Sequence, residues 1–255
     1  MRDQDTQQTL REDIVIGRNG VTELLRSGRE IETILIRKGG GEGSLPKIAA
    51  MARERGIPVK EVSPIKLDNL CMNGNHQGII AMTAGAQYSE LEDIFARAGD
   101  EPVFIVIADG IEDPHNLGAI IRTAEGAGAH GIIIPKRRSA GLTFAVSKVS
   151  AGAVEHLPVV RVSNLATTIE ELKKRNVWIY AADMDGSPWC QTDFAGPVAL
   201  VVGSEGSGVS HLIKQRSDFV VSLPLRGKIS SLNASVAAGI VLYEIARQRL
   251  GLSSR

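Results

Sequence analysis

Apolar positions along the chain fall into two regimes. Over residues 14–84 they come in short stretches interrupted by glycine, proline or charge. Ile14–Ile16, Ile31–Ile36, Gly56–Val62 and Gln77–Thr83 predict strands. Val21, Leu24 and Leu25 predict a short helix, Leu45–Arg55 an amphipathic one with Ile48, Ala49 and Ala52 on its inner face, and Ile65–Leu70 a third. Gly39–Ser44 predicts a loop. Residues 1–13 are polar and expected to fray. Residues 85–101 read as a linker with one short helix, Leu91–Ala98.

From Pro102 the pattern changes. Val103–Ala108, Gly131–Ile134, Val177–Ala181 and Val198–Val202 are continuous apolar runs, as strands covered on both faces should be. Leu157–Val162 and Phe219–Leu223 are weaker versions. Helical periodicity over Leu117–Ala127, Leu165–Arg175, Val209–Arg216 and Val236–Arg249 separates them. The expected fold class is therefore α/β. A small α/β domain, 14–84, precedes a domain over 102–255 with a parallel sheet and helices on both faces. In such sheets ligands bind beyond the carboxyl ends of the strands, so post-strand segments are where chemistry is sought.

Composition narrows the classes. The 255 residues are 43% hydrophobic, enough to fill a core, which excludes wholesale disorder. The 27 glycines show no collagen-like period. Cys71 and Cys190 stand alone, so neither a disulfide scaffold nor a metal site is expected. No run of about 18 apolar residues exists and the N-terminal stretch has no apolar core, so a cytoplasmic protein with no membrane association is expected. Lys and Arg total 29 against 29 Asp and Glu, so any nucleic-acid contact must come from local clusters such as Lys136-Arg137-Arg138 or Arg226 with Lys228.

Three post-strand segments carry an excess of polar groups. In the first, Asp109 to Glu125, a helix is expected to start near Asn116 as its N-cap, with Arg122 and Glu125 one turn apart. The second, Gly203-Ser-Glu-Gly-Ser-Gly208, has the glycine spacing of a nucleotide phosphate loop. Val209 stands where that loop needs its lysine, and Glu205 would face the phosphates, so a nucleoside triphosphate cradle is not expected. The third places Ser230, Ser231, Asn233 and Ser235 at one helix start, where a single cap would suffice.

Together, Asn116-Leu-Gly-Ala-Ile-Ile-Arg122 with Glu125, Gly203-Ser-Glu-Gly206, and Leu223-Pro-Leu-Arg-Gly followed by Ser231-Leu-Asn-Ala-Ser235 resemble the three motifs of the SpoU (TrmH-like) RNA ribose 2′-O-methyltransferases, of the knotted SPOUT class. Gly17–Val21 and His76-Gln-Gly-Ile79 are similar to the ends of the L30e-like RNA substrate-binding domain found in the ribosomal branch of that family, with Arg18-Asn19-Gly20 where relatives often carry a histidine. The resemblance implies a C-terminal trefoil knot, a homodimer packed through knot-region helices, and S-adenosyl-L-methionine as methyl donor. It assigns Gly203, Gly206, Leu223, Leu225, Leu232 and Ser235 to the cofactor. It assigns Arg122, Asn116, Glu125, Glu205, Ser231 and Asn233 to catalysis, with Asn116 and Glu125 orienting Arg122 or the ribose. The implied substrate is a guanosine of 23S rRNA. Alternatives are a tRNA substrate, an antibiotic-resistance rRNA methyltransferase, or a non-catalytic RNA-binding protein of ribosome assembly.

Overall fold

The computed structural model describes residues 13–28, 30–39, 43–71, 75–83, 87–228 and 231–252. The polar tail up to residue 12, the middle of the Gly39–Ser44 loop and Ser230 lie outside them. The described chain forms two compact units, residues up to Gln87 with Leu142–Phe144, and Tyr88–Gly141 with Ala145–Arg255.

The first unit runs β1 (Ile14–Ile16), α1 (Arg18–Ser27), β2 (Ile31–Arg37), α2 (Leu45–Glu54), β3 (Val59–Val62), α3 (Pro64–Cys71) and β4 (Ile79–Thr83). Its sheet has the order β1-β4-β2-β3, antiparallel on both sides of β4 and parallel between β2 and β3. The period-2 alternation of β2 sends Ile34 and Ile36 to the side that also buries Leu24, Leu25 and Ile48, and Leu35 to the side of Leu67 and Cys71. The two motifs framing this unit cross at one end of the sheet. The Arg18 backbone N–H donates to Gln77 Oε1 at 3.1 Å and its Nε to the Gln77 carbonyl at 3.2 Å. Gln77 holds a left-handed φ of 50°. Beside it, His76 Nδ1 accepts from the Gly78 N–H, and Nε2 lies 3.0 Å from Asp68.

The second unit runs α4 (Leu91–Ala98), β5 (Phe104–Asp109), α5 (Pro114–Gly126), β6 (Gly131–Pro135), α6 (Phe144–Val149), β7 (Val159–Val162), α7 (Leu165–Lys174), β8 (Trp178–Pro188), β9 (Val198–Gly203), α8 (His211–Arg216), β10 (Phe219–Ser222) and α9 (Ala234–Arg249). All six strands are parallel, in the order β10-β8-β9-β5-β6-β7. Ile105, Ile107, Ile179 and Val201 face a core shared with α4, α7 and α8. On the opposite face α5 and α9 pack on each other and on β6, β8 and β9.

Three differences from the sequence reading have physical causes. Helix α4 is no linker element, because Leu91, Ile94 and Ala98 are buried in the core of the second unit. Gly131 is bare because Ile94 occupies its side-chain space, 2.4 Å from where a Cβ would stand. Helix α5 starts three residues earlier than expected. Asp113 is the cap, accepting from the His115 N–H at 2.9 Å, and Pro114 takes the first helical position. Asn116 is thus inside the helix, with its side chain free for other work. Strand β8 runs past Ala181 to Pro188, and its pairing with β10 jumps from Val220–Ala181 to Val221–Ser187.

Burial of Ile94 makes the role of α4 measurable. Ile94→Ala should cost about 2–5 kcal/mol of stability, read as a lowered denaturant midpoint of the second unit. A loss under about 0.5 kcal/mol, the size of a surface change, would place α4 outside the core.

Candidate active site

All three motif segments follow the carboxyl ends of strands, the first two of the central β5 and β9 and the third of the edge strand β10. The first begins where β5 ends at Asp109, and the second where β9 ends at Gly203, its register partner. Gly203 cannot carry a side chain, since a Cβ would lie 2.0 Å from the Gly208 carbonyl carbon and 2.1 Å from the Val209 nitrogen. The chain folds back there, with Ser204 and Gly208 exchanging backbone hydrogen bonds at 3.1 and 3.0 Å. Gly206 and Gly208 sit at φ values of 86° and 64°, where glycine is unstrained. Asp109 ties β5 to the far end of this loop by accepting from the Ser210 N–H at 2.8 Å.

The third segment closes the arrangement through one side chain. Asn233 caps α9, its Oδ1 accepting from the Ser235 and Val236 N–H groups at 3.0 and 3.3 Å and from the Ser235 hydroxyl at 2.6 Å. Its Nδ2 donates to Asn116 Oδ1 at 2.9 Å and also to Glu205 Oε1. Asn116 Nδ2 donates to the same Glu205 oxygen at 3.1 Å. One carboxylate oxygen therefore gathers two amides from segments 89 and 28 residues away. Glu205 Oε2 has no partner among the described residues. Asn116 is 9% exposed, whereas Glu205 and Asn233 are open to solvent.

Of the six candidate catalytic residues, Asn116, Glu205 and Asn233 are brought into contact. Arg122, Glu125 and Ser231 are not joined to them by hydrogen bonds, and no ion pair links Arg122 to Glu125 among the described residues. Arg122 is exposed on the outward side of α5, one turn before Gly126, whose Cβ position lies 3.4 Å from the Tyr243 hydroxyl of α9. Of the candidate cofactor residues, Gly203 is buried and Gly206 exposed, and Ser235 is held by Asn233. Leu223 is half-buried after β10, while Leu225 and Leu232 stay 38% and 37% exposed.

Sequence reasoning missed supports around this loop. Asp183 of β8 approaches Gly208, its Oδ2 3.4 Å from that glycine's Cβ position, and pairs with Lys214 of α8 at 3.2 Å. Lys214 also binds Asp185, whose carboxylate raises the ammonium pKa. Asp183 carried no signal because nothing in the chain shows that β8 extends so far. Asp109 was visible as the residue ending a strand, with no hint of its partner. Among the described residues no group of three or more His, Cys, Asp or Glu is placed to hold a metal, and no helix is long and apolar enough to cross a membrane.

Comparison with known proteins follows the same division of the chain. Residues 103–243 match the model of the SpoU rRNA Methylase family, and residues 14–89 match that of the RNA 2′-O ribose methyltransferase substrate-binding domain. A Bacillus subtilis protein, YacO, which carries the name of a TrmH family tRNA/rRNA methyltransferase, is 45% identical over 93% of this chain and 96% of its own. Among solved structures, the SpoU methyltransferase AviRb of Streptomyces viridochromogenes in complex with AdoMet aligns with a TM-score of 0.62 at 26% identity, covering 93% of this chain and 90% of AviRb. An AdoMet-bound rRNA methyltransferase of Sinorhizobium meliloti aligns at 0.60 and 27% identity, over 94% and 88%. With the methylase model covering more than half its length and a relative at 45% identity along nearly all of it, the chain belongs to the SpoU family of RNA methyltransferases.

Proposed function

We propose that this protein transfers a methyl group from S-adenosyl-L-methionine to a ribose 2′-hydroxyl of RNA, a guanosine of 23S rRNA being the substrate we assign. The observation that carries the reading is the Asn116–Glu205–Asn233 junction, which unites three distant segments around one carboxylate oxygen at the strand ends. The ribosomal assignment draws support from the substrate-binding match over residues 14–89 and from the S. meliloti rRNA methyltransferase, alike over 94% of this chain. A strain lacking the gene should show one unmethylated 2′-hydroxyl in 23S rRNA; a missing methyl in tRNA instead would move the substrate.

The residues present suit the cofactor. The turn at Gly206, with nothing within 4 Å of where a Cβ would stand, lets backbone approach a ligand, and the exposed Leu225 and Leu232 offer apolar cover for an adenine ring. We assign Gly203 and Gly206 of the loop after β9, Leu223 and Leu225 after β10, and Leu232 and Ser235 at the start of α9 to this cradle, which the knot of the SPOUT class would draw together. S-adenosylmethionine supplies an electrophilic methyl group when bound. The chain must then position the ribose and ease loss of the hydroxyl proton as the new O–C bond forms. Glu205 Oε2 is placed to accept a hydrogen bond from a ribose hydroxyl, while its other oxygen is fixed by the two asparagines. Arginine stays protonated in proteins, so Arg122 acts as a fixed cation that binds RNA phosphate and stabilises the forming alkoxide. We assign Glu125 to orienting Arg122 or the ribose, and Ser231 to holding the nucleotide.

A homodimer brings Arg122 into this scheme. Helix α9 buries Ala238, Val241, Leu242 and Ile245 against the sheet side, yet Val236, Ile240 and Tyr243 form an exposed stripe at i, i+4 and i+7. That stripe lies beside the outer side of α5, and pairing through it puts Arg122 at the subunit boundary.

Two outcomes test these roles. In calorimetry S-adenosylmethionine should bind and ATP should not, and Gly203→Ala should abolish cofactor binding; ATP binding alone would refute the cofactor assignment. In single-turnover transfer of labelled methyl at saturating cofactor, Arg122→Ala should lose on the order of 10²–10³ in rate while keeping cofactor affinity. Arg122→Lys should lose most of the rate too, since it lacks the planar fork. Near wild-type transfer by Arg122→Ala would remove Arg122 from the mechanism.

A further inference from the structure

A cavity of about 540 Å³ opens beyond the carboxyl ends of β9, β5, β6 and β7, across the gap between β5 and β9. This is the point where strand order reverses, with β6 and β7 on one side of β5 and β9, β8 and β10 on the other. Crevices of that kind are where open α/β sheets take ligands. The glycine loop forms a partition. On one side Glu205 faces Asn116 and Asn233; on the other Ser204 and Ser207, hydroxyl to hydroxyl at 2.6 Å, line the cavity. None of the residues assigned above to the cofactor or to catalysis lines it.

Its wall combines two chemistries. Arg137 and Arg138 rise from the end of β6, both exposed and without a hydrogen bond or ion pair among the described residues. The same cavity is lined by Asp109, whose Oδ2 is used by the Ser210 N–H while Oδ1 has no partner among the described residues, and by Glu112, also unpaired among them. A simple anion would be served by the arginines but repelled by the carboxylates; a simple cation, the converse. A ribonucleotide unit suits both, since guanidinium groups fork onto phosphate and carboxylates accept from ribose hydroxyls. Arg138 holds a left-handed φ of 55°, an unfavourable conformation for a side-chain-bearing residue that clusters at functional sites.

We propose that this crevice seats the sugar and phosphate of an RNA nucleotide next to the one methylated, with Arg137 and Arg138 on phosphate and Asp109 and Glu112 on ribose hydroxyls. The proposal rests on the RNA methyltransferase reading above and adds the path of the strand across the glycine loop.

The test uses the full chain, fluorescein-labelled oligouridylate and oligothymidylate twelve-mers, and anisotropy at several salt concentrations. Arg137→Ala with Arg138→Gly removes both cations, the glycine fitting the left-handed backbone. It should weaken oligouridylate binding at least about tenfold. It should also lower the slope of log affinity on log salt by about 1.4, at roughly 0.7 per phosphate contact on a single strand. Calorimetric affinity for S-adenosylmethionine should be unchanged, which also reports a folded chain. Glu112→Ala should shrink the preference for ribose over deoxyribose. Unchanged RNA affinity and salt slope, or an unchanged ribose preference, overturns the subsite even if the wild type methylates RNA. Loss of cofactor affinity assigns the crevice to the cofactor and overturns it too. A wild-type chain that neither binds oligouridylate nor methylates RNA from a strain lacking the gene would overturn the underlying reading instead.

Discussion

One side-chain amide, that of Asn233, carries the architecture of the site. Its oxygen ends the run of unsatisfied N–H groups at the start of α9, and its nitrogen reaches Asn116 on α5 and Glu205 in the glycine loop. Without it α9 loses its cap, typically about 1 kcal/mol, and Glu205 loses one of two donors to a single oxygen. The fold therefore fixes the site through a helix terminus, where an unpaired backbone had to be satisfied anyway. A carboxylate held in this way is aimed before substrate arrives, which is what positioning a weak ribose nucleophile requires.

The glycine loop is the second constraint, and it acts through absence of atoms. Gly203 leaves room for Gly208 and Val209 to return against the strand end. The loop is braced on one side by Asp109 through Ser210 and on the other by the Asp183–Lys214 pair. It stands between two recesses of different character: the carboxylate–amide junction, and the crevice with Arg137 and Arg138. A single rigid partition sets the spacing between whatever occupies the two.

Much of this was legible in the chain because the strands are buried on both faces. Val103–Ala108 and Val198–Val202 could hardly be anything else, and their ends marked where to look. The errors share a cause, which is that local rules compete with tertiary ones. Asn116 has the composition of a cap, but Asp113-Pro114 next to it is a better one, so the helix starts earlier and the Asn116 amide turns to Glu205. Leu91–Ala98 has a helical pattern with no sign of which domain it serves; only the contact of Ile94 with Gly131 decides. Helix α6 was invisible, as Phe144–Val149 is too short to show a period. Three candidate catalytic residues meet because their segments converge, as the family resemblance implied and no segment alone did. The outward position of Arg122 depends on the packing of α5 and α9, which one sequence does not encode locally.

We infer that Glu205 and Asn233 act as one unit rather than as two separate contacts. A double-mutant cycle on single-turnover methyl transfer, with Glu205→Gln, Asn233→Ala and the pair, measures this directly. Strong coupling is expected, with the double variant at least about tenfold more active than the product of the single losses implies. Additive losses, with no coupling beyond error, would contradict it.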